Sequence, residues 1–434
     1  MSIRKGKNYP YGIHVPDRKS LACQCTIENM PAPAKLYVGL SQHIGAPALP
    51  IVNIGDHVKK GQMIGEASGA ISANVYASVS GTVVSIEDIV NGLGQKIKYI
   101  VIENDFKNEE ILFDDIKDFS APSLVERIKL AGIVGLGGAG FPTAVKLSPK
   151  TQLDTLVING AECEPYLNCD YRLMLERTED IYRGIIYLKK ALNIERVVVG
   201  IEKNKPLAID AFRRFDDLDV VVLKKQYPMG SEKHLIYCTI GKKVPTGKMP
   251  FDVGVCVQNI KTVIACYEAI EQNKPLTEIV LTVSGEGVKQ PKNLKVAIGT
   301  PFKDIIDFCG GETGKTVKIV AGGPMMGKAM VSLNQFARKT DSGLLLLTEK
   351  ETSLSSPTNC ISCGVCAKNC PMRLMPMYIE AYTLAGDYKS AEKYGAMNCL
   401  ECGSCAFNCP AKRSLVQSIS FAKQMIKEMK QNGK

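Results

Sequence analysis

The 434-residue sequence contains no tryptophan, and aromatic residues make up only 6% of it. It has four histidines. None lies close in sequence to Cys163 or Cys169, so those cysteines read as small buried residues rather than as nucleophiles paired with a base. His14 stands alone and reads as structural. Long apolar runs are missing too. The longest, such as Gly343-Leu344-Leu345-Leu346-Leu347, fall far short of the roughly 20 residues a membrane span needs, so ion pumping is not expected within this chain. The basic start, MSIRKGKNYPYG, has no apolar stretch behind it and does not read as a signal peptide. No Lys/Arg run carries interleaved aromatics, which argues against a nucleic-acid partner. The net charge of +10 instead suits an acidic partner or an anionic membrane face. With 45% apolar and 23% charged residues the chain reads as globular, and its length suggests about three domains of roughly 150 residues.

What the sequence does hold is cysteine, sixteen in all. Eight stand in two runs, Cys360-x2-Cys363-x2-Cys366-x3-Cys370-Pro371 and Cys399-x2-Cys402-x2-Cys405-x3-Cys409-Pro410. Three thiolates at this spacing can reach one iron–sulfur cube, while the fourth is carried away to ligate the other. The expected sets are Cys360, Cys363, Cys366 with Cys409, and Cys399, Cys402, Cys405 with Cys370. Zinc sites or disulfides are the alternatives, but zinc usually uses two CxxC pairs. Two 4Fe-4S clusters and free thiols together indicate a reducing cytosol. The repeat suggests two helical lobes over 355–434, with helix-forming Met375–Tyr394 between the runs and a basic amphipathic tail, Leu415–Lys430. That tail reads as a surface helix of the cluster domain rather than a membrane contact.

Upstream, residues 1–30 read as an irregular extension. Residues 31–105 read as all-β, with strands at Lys35–Leu40, Asn74–Ala77, Thr82–Ile86 and Tyr99–Ile102. Val58 to Gly65 and Ala77 to Val83 resemble the halves of a lipoyl-like barrel sandwich, yet no carrier lysine stands between Glu66 and Gly81. Residues 106–118 form an acidic linker. Residues 119–270 read as α/β: a helix at Ser123–Leu130, buried parallel strands at Thr155–Ile158, Arg196–Gly200 and Val220–Leu223, and helices at Leu173–Leu192 and Lys205–Phe215. Residues 274–348 read as a compact α+β module of β-grasp type. Its strands are Ile279–Val283, Val317–Ala321 and Leu344–Thr348, with a short helix at Pro301–Phe308. A Ser-rich hinge, Thr352–Pro357, leads to the clusters.

Two loops of the α/β segment carry chemistry. Gly135-Leu136-Gly137-Gly138-Ala139-Gly140 contains a G-x-G-x-x-G, but it follows a helix, so an ordinary dinucleotide fingerprint is rejected. Four glycines in six residues still let backbone N–H groups approach a phosphate or a flat ring, and Lys146 adds a positive charge. Asn159-Gly160-Ala161-Glu162-Cys163-Glu164 follows a parallel strand, at the end that faces the ligand crevice. Asn159, Glu162 and Glu164 could there bind a ribityl chain, a flavin edge or a nicotinamide ribose. Gly311 to Thr316 mimics a P-loop, but Cys309 stands where its first glycine belongs, and it reads as a turn. Gly322 to Gly327 is turn-rich, with its role open.

Together, Gly137 to Thr143, Asn159 to Pro165, Ser41-Gln42-His43-Ile44-Gly45-Ala46-Pro47 and the doubled cysteine motif resemble the RnfC subunit of the Rnf ion-translocating electron-transport complex, over essentially the whole chain. The central segment also resembles the FMN- and NADH-binding subunit of respiratory complex I. The resemblance implies FMN held by Gly137, Gly138, Gly140 and Lys146. It implies a flavin lined by Asn159, Glu162 and Glu164, with Glu164 and Phe141 near the nicotinamide. Gly230, Ser231 and Glu232 match a second loop, with Ser231 replacing an acid, and Asn259 matches a later one. Ala161 stands where the complex I subunit has Asp. The implied role is peripheral, on the cytoplasmic face of the membrane, passing electrons between NAD(H) and ferredoxin. The other membrane subunits, especially a ferredoxin-like iron–sulfur subunit, would be the partners. A soluble relative serving an amino-acid reductase such as proline reductase, or a cluster scaffold without flavin activity, are the alternatives.

Overall fold

A computed structural model describes residues 4–353 and 355–433. The opening residues Met1, Ser2 and Ile3, Leu354 of the Ser-rich hinge and the last lysine lie outside the described residues.

The central unit is a five-stranded parallel sheet ordered Arg4–Lys5, Asp219–Leu223, Arg196–Glu202, Thr155–Gly160, Val255–Asn259. Its middle strands are valine- and isoleucine-rich and buried on both faces, as helix-covered parallel strands must be. Helices Ala121–Leu130, Thr178–Leu192 and Ile260–Glu271 pack on one face; Leu124, Ile128, Ile181, Ile185, Leu188 and Val263 are fully buried there. Residues 173–192 do not form one helix. Arg177 leaves helical geometry (φ −131°, ψ 35°) and divides Cys169–Glu176 from Thr178–Leu192. Strand Val255–Asn259, short and only partly apolar, was not evident from its pattern.

The β-rich unit holds a four-stranded antiparallel sheet, ordered Lys35–Gly39, Lys96–Asn104, Gly81–Val90, His57–Val58. A three-stranded sheet, Leu49–Pro50, Met63–Glu66, Val75–Tyr76, faces it. Leu36, Val38, Ile64, Val83, Ile100 and Ile102 fill the space between with no exposed surface. The third unit is a six-stranded mixed sheet with helix Phe302–Phe308. Strand Lys292–Ala297 of that sheet, rich in lysine, escaped the sequence reading because apolar alternation is weak there.

Residues 1–30 are not merely an irregular extension. Arg4–Lys5 closes the edge of the parallel sheet, and Ile27–Asn29 pairs with Lys292–Ala297 at the edge of the mixed sheet. Strands of two or three residues carry too little periodicity to be read. The acidic linker likewise packs down, with Ile111 N–H on the Lys60 carbonyl (2.8 Å) and Phe113 N–H on the Asn273 carbonyl (2.8 Å).

The cysteine-rich unit is helical. Gly386, at φ +74°, ends Pro376–Leu384 before Tyr388–Lys393 begins, so 375–394 is a helical hairpin rather than one helix. The tail helix Leu415–Gln431 buries Ile419, Ala422 and Ile426 against that hairpin and Leu415 beside Cys366 and Cys405. It is therefore a core helix of this unit with a basic outer face. No described helix is long and apolar enough to cross a membrane.

Candidate flavin pocket and twin cysteine cages

The glycine loop leaves helix Ala121–Leu130 and closes on itself: Gly135 N–H donates to the Phe141 carbonyl (2.9 Å) and Thr143 N–H to the Ile133 carbonyl (3.0 Å). Gly137, Gly138 and Ala139 form an exposed crest. A Cβ on Gly137 would run into the Asn259 side chain at 2.5 Å, whereas one on Gly138 would meet nothing within 4 Å. The crest thus lies beside Asn259 while leaving open space over Gly138. Gly140 sits at φ +74°, and a Cβ there would meet Thr340 Cγ2 at 2.8 Å and His43 Cα at 3.1 Å. Ile44 N–H donates to the Gly140 carbonyl (3.3 Å). The barrel-sandwich loop and the mixed-sheet unit therefore clamp the end of the glycine loop together.

Facing the crest are the C-terminal ends of neighbouring parallel strands, where Asn159 is in register with Asn259. Asn159 Nδ2 donates to the Gly230 carbonyl (2.9 Å), joining the first acidic loop to the second. Asn259 Oδ1 caps the following helix through Lys261 N–H (2.9 Å), and its Nδ2 donates to Asp170 (2.6 Å). Lys146 Nζ reaches Glu232 (3.2 Å) and the Val257 carbonyl (3.4 Å). Phe141 is half-buried beside the loop it helps to close.

The Glu162 side chain is 4% exposed; its Oε1 accepts from Asp170 N–H (2.7 Å), while Oε2 lies 3.7 Å from Lys19 Nζ and has no hydrogen-bond partner. Burial raises its pKa. Glu164 turns toward the Gly322–Gly327 element, accepting from Met325 N–H (3.1 Å) and Met326 N–H (3.0 Å), with the Tyr227 hydroxyl 3.2 Å away. Burial holds its carboxyl up to about 7 against these lowering bonds. Cys163 lies behind the loop, its Sγ accepting from Gly230 N–H (3.2 Å), and burial pushes both it and Cys169 well above the ordinary thiol range. Neither is set up as a nucleophile.

Several participants gave little warning in the sequence. Lys19 spans from the N-terminal segment to the Glu164 carbonyl (3.0 Å) and the Leu167 carbonyl. Lys205 Nζ donates to the Ala161 carbonyl (2.6 Å) and pairs with Glu202 at 3.6 Å, both side chains 3% exposed. Tyr227 precedes the Gly230 loop.

The two cysteine runs fold around two small pockets. Cys360, Cys363, Cys366 and Cys409 line the first, with Met377, Arg413 and Leu415. Cys370, Cys399, Cys402 and Cys405 line the second, with Leu374, Leu400 and Ile419. Gly364 and Gly403, both left-handed (φ +71° and +78°), turn each CxxCxxC run into its short helix. Among the described residues, no three of these sulfurs lie within 4.8 Å of one another. Each pocket gathers four thiols, the ligand number that a four-iron cube takes. The first cage is open, with Cys360 and Cys363 exposed, and the second is mostly covered. Inner-cage sulfurs also receive backbone N–H groups, Leu374 to Cys370 and Glu401 to Cys399, each at 3.3 Å.

Comparison with known proteins agrees with this architecture. Residues 7–107 match the RnfC barrel sandwich hybrid domain, 128–268 the Nuo51 FMN-binding domain, 280–329 the SLBB domain and 359–413 the 4Fe-4S dicluster domain. The C subunit of the proton-translocating ferredoxin:NAD(+) oxidoreductase complex of Clostridium ljungdahlii is 45% identical over 96% of this chain and 93% of its own length. The chain belongs to the RnfC family. Within that family, the C subunit of the Na(+)-translocating ferredoxin:NAD(+) oxidoreductase complex of Acetobacterium woodii is 39% identical, with all of both chains covered. The C subunit of the ion-translocating oxidoreductase complex of Rhodobacter capsulatus is 44% identical over 96% of this chain and 83% of its own. The domain matches make FMN and two 4Fe-4S clusters the cofactors of this fold. An open glycine crest beside Asn259, and two four-thiol cages, are donor sets suited to them.

Proposed function

We propose that this chain is the peripheral electron input and output subunit of an ion-translocating ferredoxin:NAD+ oxidoreductase, docked on the cytoplasmic face of the membrane. When bound, FMN supplies the exchange between the two-electron hydride of NADH and single electrons, and the clusters carry those electrons one at a time. The protein's share of the work is placement. Gly137, Gly138 and Gly140 bring backbone to the flavin without side-chain clash, and Lys146 offers charge for its phosphate. Asn159 and Asn259 are held by their own bonds to face the ring system. Glu162 and Glu164, buried carboxyls with raised pKa, keep negative charge low beside a group that must accept hydride.

One observation carries the reading: the covered cage is tied to the loop that bears Glu164, whereas the other cage exposes Cys360 and Cys363. Tyr227 contacts both Glu164 and the Cys402 carbonyl. This arrangement favours the order flavin, inner cage, outer cage. The exposed edge at Cys360 and Cys363, beside Arg413, then suits a ferredoxin-like iron–sulfur subunit of the complex, through which ferredoxin exchanges electrons. Iron, sulfide and flavin analysis of anaerobically prepared protein, paired with NADH titration, tests this. Stoichiometric flavin, about eight irons and NADH-dependent bleaching are expected for two four-iron cubes; zinc at the cages or no bleaching by NADH would refute it.

A further inference from the structure

We propose that Tyr227 is a positioning residue for electron passage: its hydroxyl pins the inner cysteine cage to the loop bearing Glu162 and Glu164. The proposal deepens the functional reading above and rests on it.

Tyr227 is 2% exposed, packed with Ile13, Val15, Cys163, Met325, Leu400 and Cys402. Its hydroxyl lies 2.7 Å from the Cys402 carbonyl and 3.2 Å from Glu164 Oε1. A phenol has one proton, so it can satisfy only one of these acceptors at a time. The shorter contact assigns that proton to Cys402. Glu164 does not depend on it, since each of its oxygens already accepts a backbone N–H from Met325 or Met326. The hydroxyl is therefore most tightly tied to the backbone of a cage residue, although its aromatic ring belongs to the flavin-binding unit.

The fit leaves no slack. A Cβ on Gly403, the next residue, would meet the Met325 carbonyl at 2.6 Å. A second tie repeats the device at the far side of the same cage. Pro371, which follows Cys370, offers its carbonyl to the Tyr9 hydroxyl and to His234 Nε2 (3.3 Å). Ser231 lies 2.7 Å from His234 Nδ1, and burial keeps the imidazole neutral, so Ser231 can donate to Nδ1 while Nε2–H donates to Pro371. Both ties end on carbonyls at or next to ligands of the inner cage. An O–H dipole pointed at the Cys402 carbonyl also puts its positive end toward that cage, which favours the more negative, reduced state. Tyr227 thus sets both the approach of the two units and the inner cluster's readiness to accept an electron.

The test compares the complete, cofactor-loaded protein with Tyr227→Phe and with 3-fluorotyrosine placed at 227. Anaerobic mixing with NADH separates flavin bleaching from cluster bleaching, and EPR titration reads each cluster's potential. In Tyr227→Phe the cluster phase should slow about tenfold relative to the flavin phase, since small misplacements cost rate steeply. The inner cluster's potential should fall and the outer one's stay put; a tenfold change in the one-electron equilibrium corresponds to about 59 mV. Fluorotyrosine, a stronger donor of the same shape, should raise the inner potential. An unchanged ratio of phases with an unmoved inner potential in Tyr227→Phe overturns the proposal. If that variant loses iron from the inner cage, the fluorinated protein decides, and an unshifted inner potential there overturns it. Absence of flavin bleaching in the unmodified protein would instead bring down the functional reading, and this proposal with it.

Discussion

Lys205 offers a quantitative test of how the Asn159–Glu164 loop is supported. It is fully buried, donates to the Ala161 carbonyl at 2.6 Å and sits 3.6 Å from a Glu202 carboxylate that is equally buried. Replacing Lys205 with Met keeps most of the volume but removes the cation. Glu202 is then a buried acid that has lost its nearest counter-charge, with only the influence of Lys19 left, and such stranding costs about 3–5 kcal/mol. The Ala161 carbonyl also loses a charged donor, about 1.5–3 kcal/mol. The two losses overlap, so a total of about 4–6 kcal/mol is expected, a large share of a domain's usual 5–15 kcal/mol. Adding Glu202→Gln to Lys205→Met removes the stranded charge and should recover roughly half of the loss. Because Ala161 lies between Asn159 and Glu162, flavin affinity should follow the same order: native, double variant, single variant. Urea unfolding followed by circular dichroism, with flavin fluorescence titrations, measures both. A Lys205→Met cost below about 1 kcal/mol, the size of a surface ion pair, or a double variant no better than the single, would refute the idea that the pair supports the loop.

Cys363→Ala should remove about four irons and the outer cluster's EPR signal, while NADH still bleaches the flavin; full iron content would contradict the cage assignment. Gly140→Ala forces a Cβ toward Thr340 and His43 at φ +74°, costing about 1–2 kcal/mol in backbone strain alone. Flavin affinity should drop with iron content intact, as flavin and iron assays on the same sample would reveal. Lys339 is buried with its Nζ on the Asn74 carbonyl (2.6 Å) and the Gly132 carbonyl (2.8 Å), and burial lowers its pKa to about 7. An unfolded lysine titrates near 10.4. The unfolded chain therefore binds more protons between these values, and stability should rise with pH across that window, by up to about 1.4 kcal/mol per unit. Subtracting a parallel urea series on Lys339→Met isolates this slope; identical pH profiles would refute it.

The cysteine cages were legible because ligand spacing is local: three thiolates within seven residues leave few geometries open. The strands Thr155–Gly160 and Arg196–Glu202 were legible because burial on both faces makes the sequence continuously apolar. Glycine crest and acidic loops could be located, yet their partners could not. Lys19, Lys205 and Tyr227 act across separations of 145, 44 and 175 residues, and nothing local distinguishes a buried interdomain lysine from a surface one. The turn-rich Gly322–Gly327 shows the same limit, since it contributes backbone amides, which any sequence has. Helix boundaries at Arg177 and Gly386 were missed where amphipathic periodicity runs on through a break that single residues impose.

The strap formed by residues 4–29 has a consequence for biogenesis. Lys19 leaves the ribosome 145 residues before Glu164 can receive it, and Ile27–Asn29 must wait for Lys292–Ala297. At about 5–20 residues per second those waits run from roughly 7 to 50 s. The earliest part of the chain to be made is thus among the last to find its place, and its arrival seals two sheets at once. A nascent chain stalled before residue 290 would lack the strand that receives Ile27–Asn29, leaving that end of the strap unfastened and a ready target for a chaperone or a protease.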